Sequence, residues 1–320
     1  MPRFGYFLSC EEYAPEQLLE QARLAEEAGF DALWISDHYH PWTSEQGQSP
    51  FVWSVIGALA QVCDLPVTTA VTCPSLRIHP AVIAQAAATS AVLLGEGRFR
   101  LGVGTGEALN EHVLGDQWPE ADVRLEMLEE AVEVIRALWT GDDVSHRGRH
   151  YVVENARIWT RPETAPEILV SGFGPKAVDV AARIGDGYIT TSPDRDLLDR
   201  FRKQAQNGAT TQVGFKVAWG GTEDEGIDHA HRIWPNSGLP GELAQVLPTV
   251  EHFEQASQLV TRESTAESVT AGPDVAKHVA AFDPFVEAGF DEVYVANMGP
   301  DYAEMIRAYG REVLPELRRR

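Results

Sequence analysis

The segment ISDHYHPW, residues 35–42, gathers Asp37, His38, His40 and Trp42 directly after the apolar run Ala32, Leu33, Trp34, Ile35. An imidazole is the side chain best placed to exchange a proton near neutral pH; a neighbouring carboxylate can orient it, and an indole supplies a flat apolar wall. A second polar group follows another apolar run: GVGTGEALNE, residues 102–111, presents Glu107 and Asn110 among Gly102, Gly104 and Gly106. These glycines allow close backbone approach to a flat heterocycle. Their spacing is not the dinucleotide fingerprint, because no glycine stands at the third place after Gly104. A third group, in SGFGPKAVDV at residues 171–180, sets Gly174 and Pro175 before Lys176. That is a helix start with free N–H groups and a cation, suited to phosphate. Each group also has a plainer structural reading: a helix cap at Asp37, a flexible turn at the glycines, and a well-made helix N-terminus at Gly174.

Positioning three such groups requires strands that end on one side. Short Val/Ile/Leu/aromatic runs at 4–8, 31–36, 66–72, 98–103, 167–171, 186–191, 213–219 and 291–297 alternate with longer amphipathic segments, the pattern of repeated βα units. Eight such strands predict a closed (β/α)8 barrel, in which chemistry belongs at the carboxyl ends. Pro15 opens a helix that Ala28-Gly29 closes; Ala81–Leu94 and Leu125–Leu138 carry helical periodicity. Residues 1–320 read as a single domain with insertions at about 104–120, 141–166 and 235–272; the second holds a possible hairpin around GRHYVV. Long loops of this kind tend to carry function.

The 26 Lys and Arg against 48 Asp and Glu give a formal charge of −22, which disfavours nucleic acid and anionic membranes as partners. Cys10, Cys63 and Cys73 are too few and scattered for a disulfide framework or zinc site, and fit a reducing cytoplasm. No metal-ligand spacing occurs, the G-x-S-x-G elbow is absent, and MPRFGYFL lacks the apolar stretch of a signal peptide. Trp53, Trp139 and Trp159 read as core or interface residues, and His229 and His231 as members of an exposed acidic helix.

Taken together, FGYFLSCEEYAP, SDHYHPW, QSPFVWSVIGALAQ, HPAVIAQAAAT, GRFRLGVGTGEALNEHVLG and EAGFDEVYV resemble the luciferase-like superfamily. Within it the likeness is to coenzyme F420-dependent oxidoreductases of the glucose-6-phosphate dehydrogenase-related group, over residues 4–317. The resemblance implies a barrel with insertions, usually dimeric, holding a deazaflavin at the strands' carboxyl ends, with a small molecule as substrate. It implies that Asp37 and His38 lie beside the ring, Asp37 orienting His38 as acid/base. Trp42 would line the pocket, Glu107 would assist protonation of the ring, and Asn110 would contact the cofactor. Ala70-Val71 falls where relatives often have a non-prolyl cis peptide, with Gly106 and Cys73 among the further cofactor positions. Gly174, Pro175 and Lys176 match the segment holding the phosphate-bearing tail, although the family's paired glycine is Phe173 here. An FMN-dependent relative and a barrel that binds a flavinoid without turnover are the alternative readings.

The departures bear on substrate. Asp194 stands where the glucose-6-phosphate enzymes carry a lysine, Ala244 and Gln245 where a Lys-His pair is expected, and Ala266 near a phosphate-binding arginine. Losing these cations removes charge-assisted contacts, so sugar phosphate is a poor expected substrate. Lys216 and Arg262 are the cations elsewhere that could reach the site.

Overall fold

The computed structural model describes residues 1–320. Eight parallel strands, β1 Arg3–Leu8, β2 Ala32–Ile35, β3 Val67–Thr69, β4 Phe99–Val103, β5 Glu167–Ser171, β6 Gly187–Thr190, β7 Thr210–Ala218 and β8 Glu292–Asn297, pair in sequence order. β8 pairs with both β7 and β1, so the barrel is closed. These are the eight expected runs, to within a few residues at each end. Helices lie between them, and the main core fills the layer between strands and helices with Val, Ile, Leu and Phe side chains. Trp34 and Tyr294 plug the barrel interior, stacked with centroids 4.4 Å apart. No helix is long and apolar enough to cross a membrane.

Local grammar explains the helix ends. Pro15 sits in the first turn of Pro15–Ala28, and Gly29 at φ 85° takes the left-handed position that stops it. Pro80–Leu94 starts where His79 accepts a hydrogen bond from the Ala81 N–H. Ala121–Trp139 begins four residues before the expected Leu125. Its first turn is mostly polar or exposed, so hydrophobic spacing could not mark it. The second insertion does contain a hairpin, Val144–Arg147 paired antiparallel to Val152–Ala156. Trp139 is buried and donates to the Ala84 carbonyl, whereas Trp159 is 79% exposed and takes no part in the core. Helix Glu223–Ile233 exists, but His229 is half-buried rather than exposed, bonded through Nδ1 to the Met298 carbonyl.

Candidate active site at the carboxyl end of the barrel

In extended chain, successive side chains point to opposite sides, and this separates Asp37 from His38. Asp37 turns inward: its Oδ2 accepts from Thr72 Oγ1 at 2.8 Å and its Oδ1 from Arg77 at 2.8 Å. Its side chain is wholly buried and makes no bond to His38. The expectation that Asp37 orients the imidazole is therefore corrected. Arg77 also reaches Glu111, joining the loop after β3 to the short helix Ala108–Glu111. Burial, partly offset by Arg77, raises the Glu111 carboxyl to about 7.

His38 turns to the barrel mouth, and other residues hold it. Nε2 lies 3.3 Å from Glu11 Oε1 and 3.7 Å from Glu107 Oε2. Nδ1 lies 3.0 Å from Asn110 Nδ2 and 3.2 Å from the His40 carbonyl. Asn110 is fixed in orientation because its Oδ1 accepts from the Tyr39 and His40 N–H groups, leaving its amide nitrogen to donate. Nδ1 thus has both a donor and an acceptor at hand. Either neutral tautomer is accommodated, and Nε2 can present a lone pair or an N–H.

Glu11 follows β1, next to β2 in the sheet, and is braced by Ser36 Oγ at 2.7 Å. Burial pushes its carboxyl up, but the charges of His38 and Lys216 and the Ser36 bond outweigh this and hold it below the ordinary value. Glu107, by contrast, is raised by burial and by the Glu11 charge, against the pull of His38 and the Asn110 bond. Glu12 is raised to about 7, chiefly by burial, and accepts from Trp234 Nε1 at 2.6 Å. The two carboxyls beside His38 are therefore biased oppositely, Glu11 below its ordinary value and Glu107 above it.

One side of the mouth is apolar. Trp42 packs edge-on between His38 at 4.8 Å and Phe253 at 5.0 Å. It belongs to a buried cluster with Leu109, Ile233, Trp234 and Met298, against which Ala244 and Ala266 pack. Opposite, the Ala70-Val71 peptide is cis, and the chain rejoins β4 through the Thr72 bridge to Val103. Gly106, at φ 76°, passes so close that an added Cβ would stand 2.6 Å from Cys73 Sγ. A Cβ at Gly102 would fall 1.9 Å from the Thr69 carbonyl oxygen. Cys73 is buried against Ser75 Oγ at 2.9 Å.

Gly174 caps helix Pro175–Ile184, but the Lys176 ammonium is exposed and paired with Asp122 at 3.0 Å. The backbone at this helix start remains suited to an anion. Phe173, at the paired-glycine position, is 54% exposed. Asp194 caps helix Arg195–Gln204 through the Leu197 N–H, and Arg262 is engaged with Asp224 and Asp228. Lys216, near the end of β7, does reach the site: its Nζ lies 3.4 Å from the centre of the Trp234 ring. Glu11, Glu12, Arg77, Glu111, Trp234 and Phe253 escaped sequence reasoning. The acidic pair directly after β1 was the available signal for the first two.

A flat polar heterocycle fits these residues. A half-buried peptide bulge at Ala70-Val71 and a glycine turn leave room beside it, His38 and Glu107 offer proton-exchanging groups, and a helix start can take an anionic tail.

A family model described as luciferase-like monooxygenase matches residues 2–292. The chain is 37% identical to an F420-dependent glucose-6-phosphate dehydrogenase of Microbacterium testaceum, over 99% of this chain and 98% of the relative. It is 35% identical to one of Kribbella flavida, over 99% and 98%. Among solved structures it is similar to an F420-dependent secondary alcohol dehydrogenase in complex with an F420-acetone adduct, with TM-score 0.91, 28% identity and 99% coverage of both chains. A coenzyme F420-dependent tetrahydromethanopterin reductase from Methanopyrus kandleri, at 20% identity and TM-score 0.80 over 99% of both chains, shares the fold.

Proposed function

The chain belongs to the luciferase-like monooxygenase family, and from that premise we propose that it is an F420-dependent oxidoreductase interconverting a neutral, largely apolar alcohol and its carbonyl compound. The observation that carries this reading is the arrangement at His38: an imidazole held in either tautomer, between the Glu11 and Glu107 carboxyls, against an apolar wall. When bound, the deazaflavin supplies a two-electron hydride acceptor or donor at C5. The chain supplies the proton chemistry. His38 Nε2 takes the proton of the alcohol oxygen, or returns it to the carbonyl, while Glu11 stabilises the imidazolium. Glu107, whose carboxyl burial pushes above its ordinary value, stands at the mouth beside His38 Nε2. Trp42 excludes water from one side, and Gly106, Asn110 and the Ala70-Val71 bulge shape the opposite edge. Asp37 acts from below, bracing Thr72 and Arg77.

The apolar cluster around Trp42, with Ala244 and Ala266 packed on it, supports a neutral substrate, as does the likeness to the secondary alcohol dehydrogenase. The sequence relatives' name favours a second reading, oxidation of glucose 6-phosphate. A homodimer in the cytoplasm is part of the same proposal. Titration with F420 and FMN should give much tighter binding of F420, and steady-state assays should favour secondary alcohols over glucose 6-phosphate. His38→Ala should lower turnover about 100-fold or more while retaining F420 affinity. Efficient oxidation of the sugar phosphate would decide for the second reading, and FMN-supported turnover for a flavin enzyme.

A further inference from the structure

Lys216 is a half-buried cation whose ammonium makes no hydrogen bond and no ion pair. Three carboxylates act on its charge, yet their oxygens are drawn to other donors. Glu11 bonds Ser36 and faces His38, Glu12 holds Trp234, and Glu107 holds Asn110. The aliphatic stem and the Trp234 ring fix the ammonium at the mouth, where the ring face offers some compensation but no acceptor. Its nitrogen is not among the sealed-off polar atoms of the interior. The charges of Glu11 and Glu107, which flank His38 Nε2, reach the ammonium, and its three N–H donors meet no protein acceptor. A ligand oxygen entering the mouth finds these donors uncommitted to any protein acceptor.

Building on the alcohol/carbonyl reading above, we infer that Lys216 is a catalytic residue of this site, its ammonium hydrogen-bonding the substrate oxygen whose proton His38 exchanges. In oxidation, bound F420 would supply the two-electron acceptor for the hydride that leaves the substrate carbon. The O–H bond breaks, its proton goes to His38 Nε2, and the C=O bond forms. Lys216 keeps its own proton throughout and stabilises the negative charge that develops on the oxygen; in reduction it polarises the carbonyl. The residue thereby selects substrates whose reacting carbon bears oxygen. Beside it Glu11, held below its ordinary value, keeps a negative charge at the mouth that disfavours an anionic group at the reacting carbon.

The test uses the purified full chain with F420 and a series of secondary alcohols and ketones, comparing wild type, Lys216→Met and Lys216→Arg. Methionine keeps the stem over Trp234 and removes the donors. Lys216→Met should bind F420, measured by cofactor fluorescence, within about threefold of wild type, while kcat falls roughly 100-fold. Lys216→Arg should recover part of that loss. Burial, opposed by the three glutamates, lowers the Lys216 ammonium to about 8, so the wild-type rate should decline above that pH through a limb absent from Lys216→Met. A Lys216→Met protein that binds F420 and turns over within threefold of wild type, with an unchanged pH profile, overturns the inference and leaves Lys216 a solvated surface of the pocket. A wild type that binds F420 but is inert to every alcohol and ketone overturns the reading of the site, and this inference with it.

Discussion

Asn110 touches both the backbone of the histidine loop and the imidazole, so one amide ties the position of His38 to that loop. The residue types that sequence singled out, His38, Trp42, Glu107 and Asn110, do meet at the barrel mouth. Their pairing was harder to read. Adjacent residues in extended chain face opposite ways, so Asp37 is paired through the core with Thr72 and Arg77, while the carboxylate for His38 arrives from the neighbouring strand as Glu11. Such a partner is set by which strands pair and is invisible along the chain. Glu12 offers a stability test of the site's electrostatics. Its carboxyl is raised to about 7 by burial, so between its ordinary value near 4.5 and 7 the folded state binds more proton than the unfolded chain. Stability must therefore fall as pH rises through that window. Glu12→Gln, which keeps an acceptor for Trp234, should raise the melting temperature at pH 8 and change it little at pH 4. Equal effects at both values in a thermal-melt series would sink this account.

At the scale of elements, the barrel was legible because each strand is a short run buried on both faces, and such runs look unlike the amphipathic helices between them. Boundaries failed where polarity hid them, as at the first turn of Ala121–Trp139. Asp194, read from sequence as a charge opposing phosphate, also has a local purpose as the cap of helix Arg195–Gln204. The junction of β3 and β4 is closely packed. Gly102→Ala would drive a Cβ against the backbone oxygen of Thr69, an atom that cannot move without parting the strands. A loss on the order of 3 kcal/mol in chemical denaturation is expected. Gly174→Ala, where nothing lies within 4 Å, should cost less than about 1 kcal/mol. Comparable losses at the two positions would contradict this picture of the junction.

For the whole molecule, the −22 charge sets a field unfavourable to anionic substrates, whatever the local contacts. An apolar groove on helices Val52–Leu59 and Pro80–Leu94 is lined by Phe51, Trp53, Ile78, Val82 and Leu93. Phe51, Val82 and Leu93 are about half exposed there, at 53%, 55% and 47%, an apolar patch that the proposed homodimer would cover. Light scattering should report a dimer for the wild type and a monomer for Val82→Asp; a monomeric wild type would exclude the arrangement. Closure of the barrel has a consequence during synthesis. The register Arg3–Tyr6 against Glu292–Val295 joins the first strand to the last, and Arg318, beyond the last strand, reaches back to Gly29 and Asp31. One edge of β1 therefore stays open on the ribosome until nearly the entire chain has emerged, about 15–60 s at ordinary elongation rates. Such an unpaired edge is a template for association with neighbouring nascent chains. Chains stalled before β8 should accumulate as aggregates or chaperone-bound species, which makes translation speed a determinant of the yield of active protein.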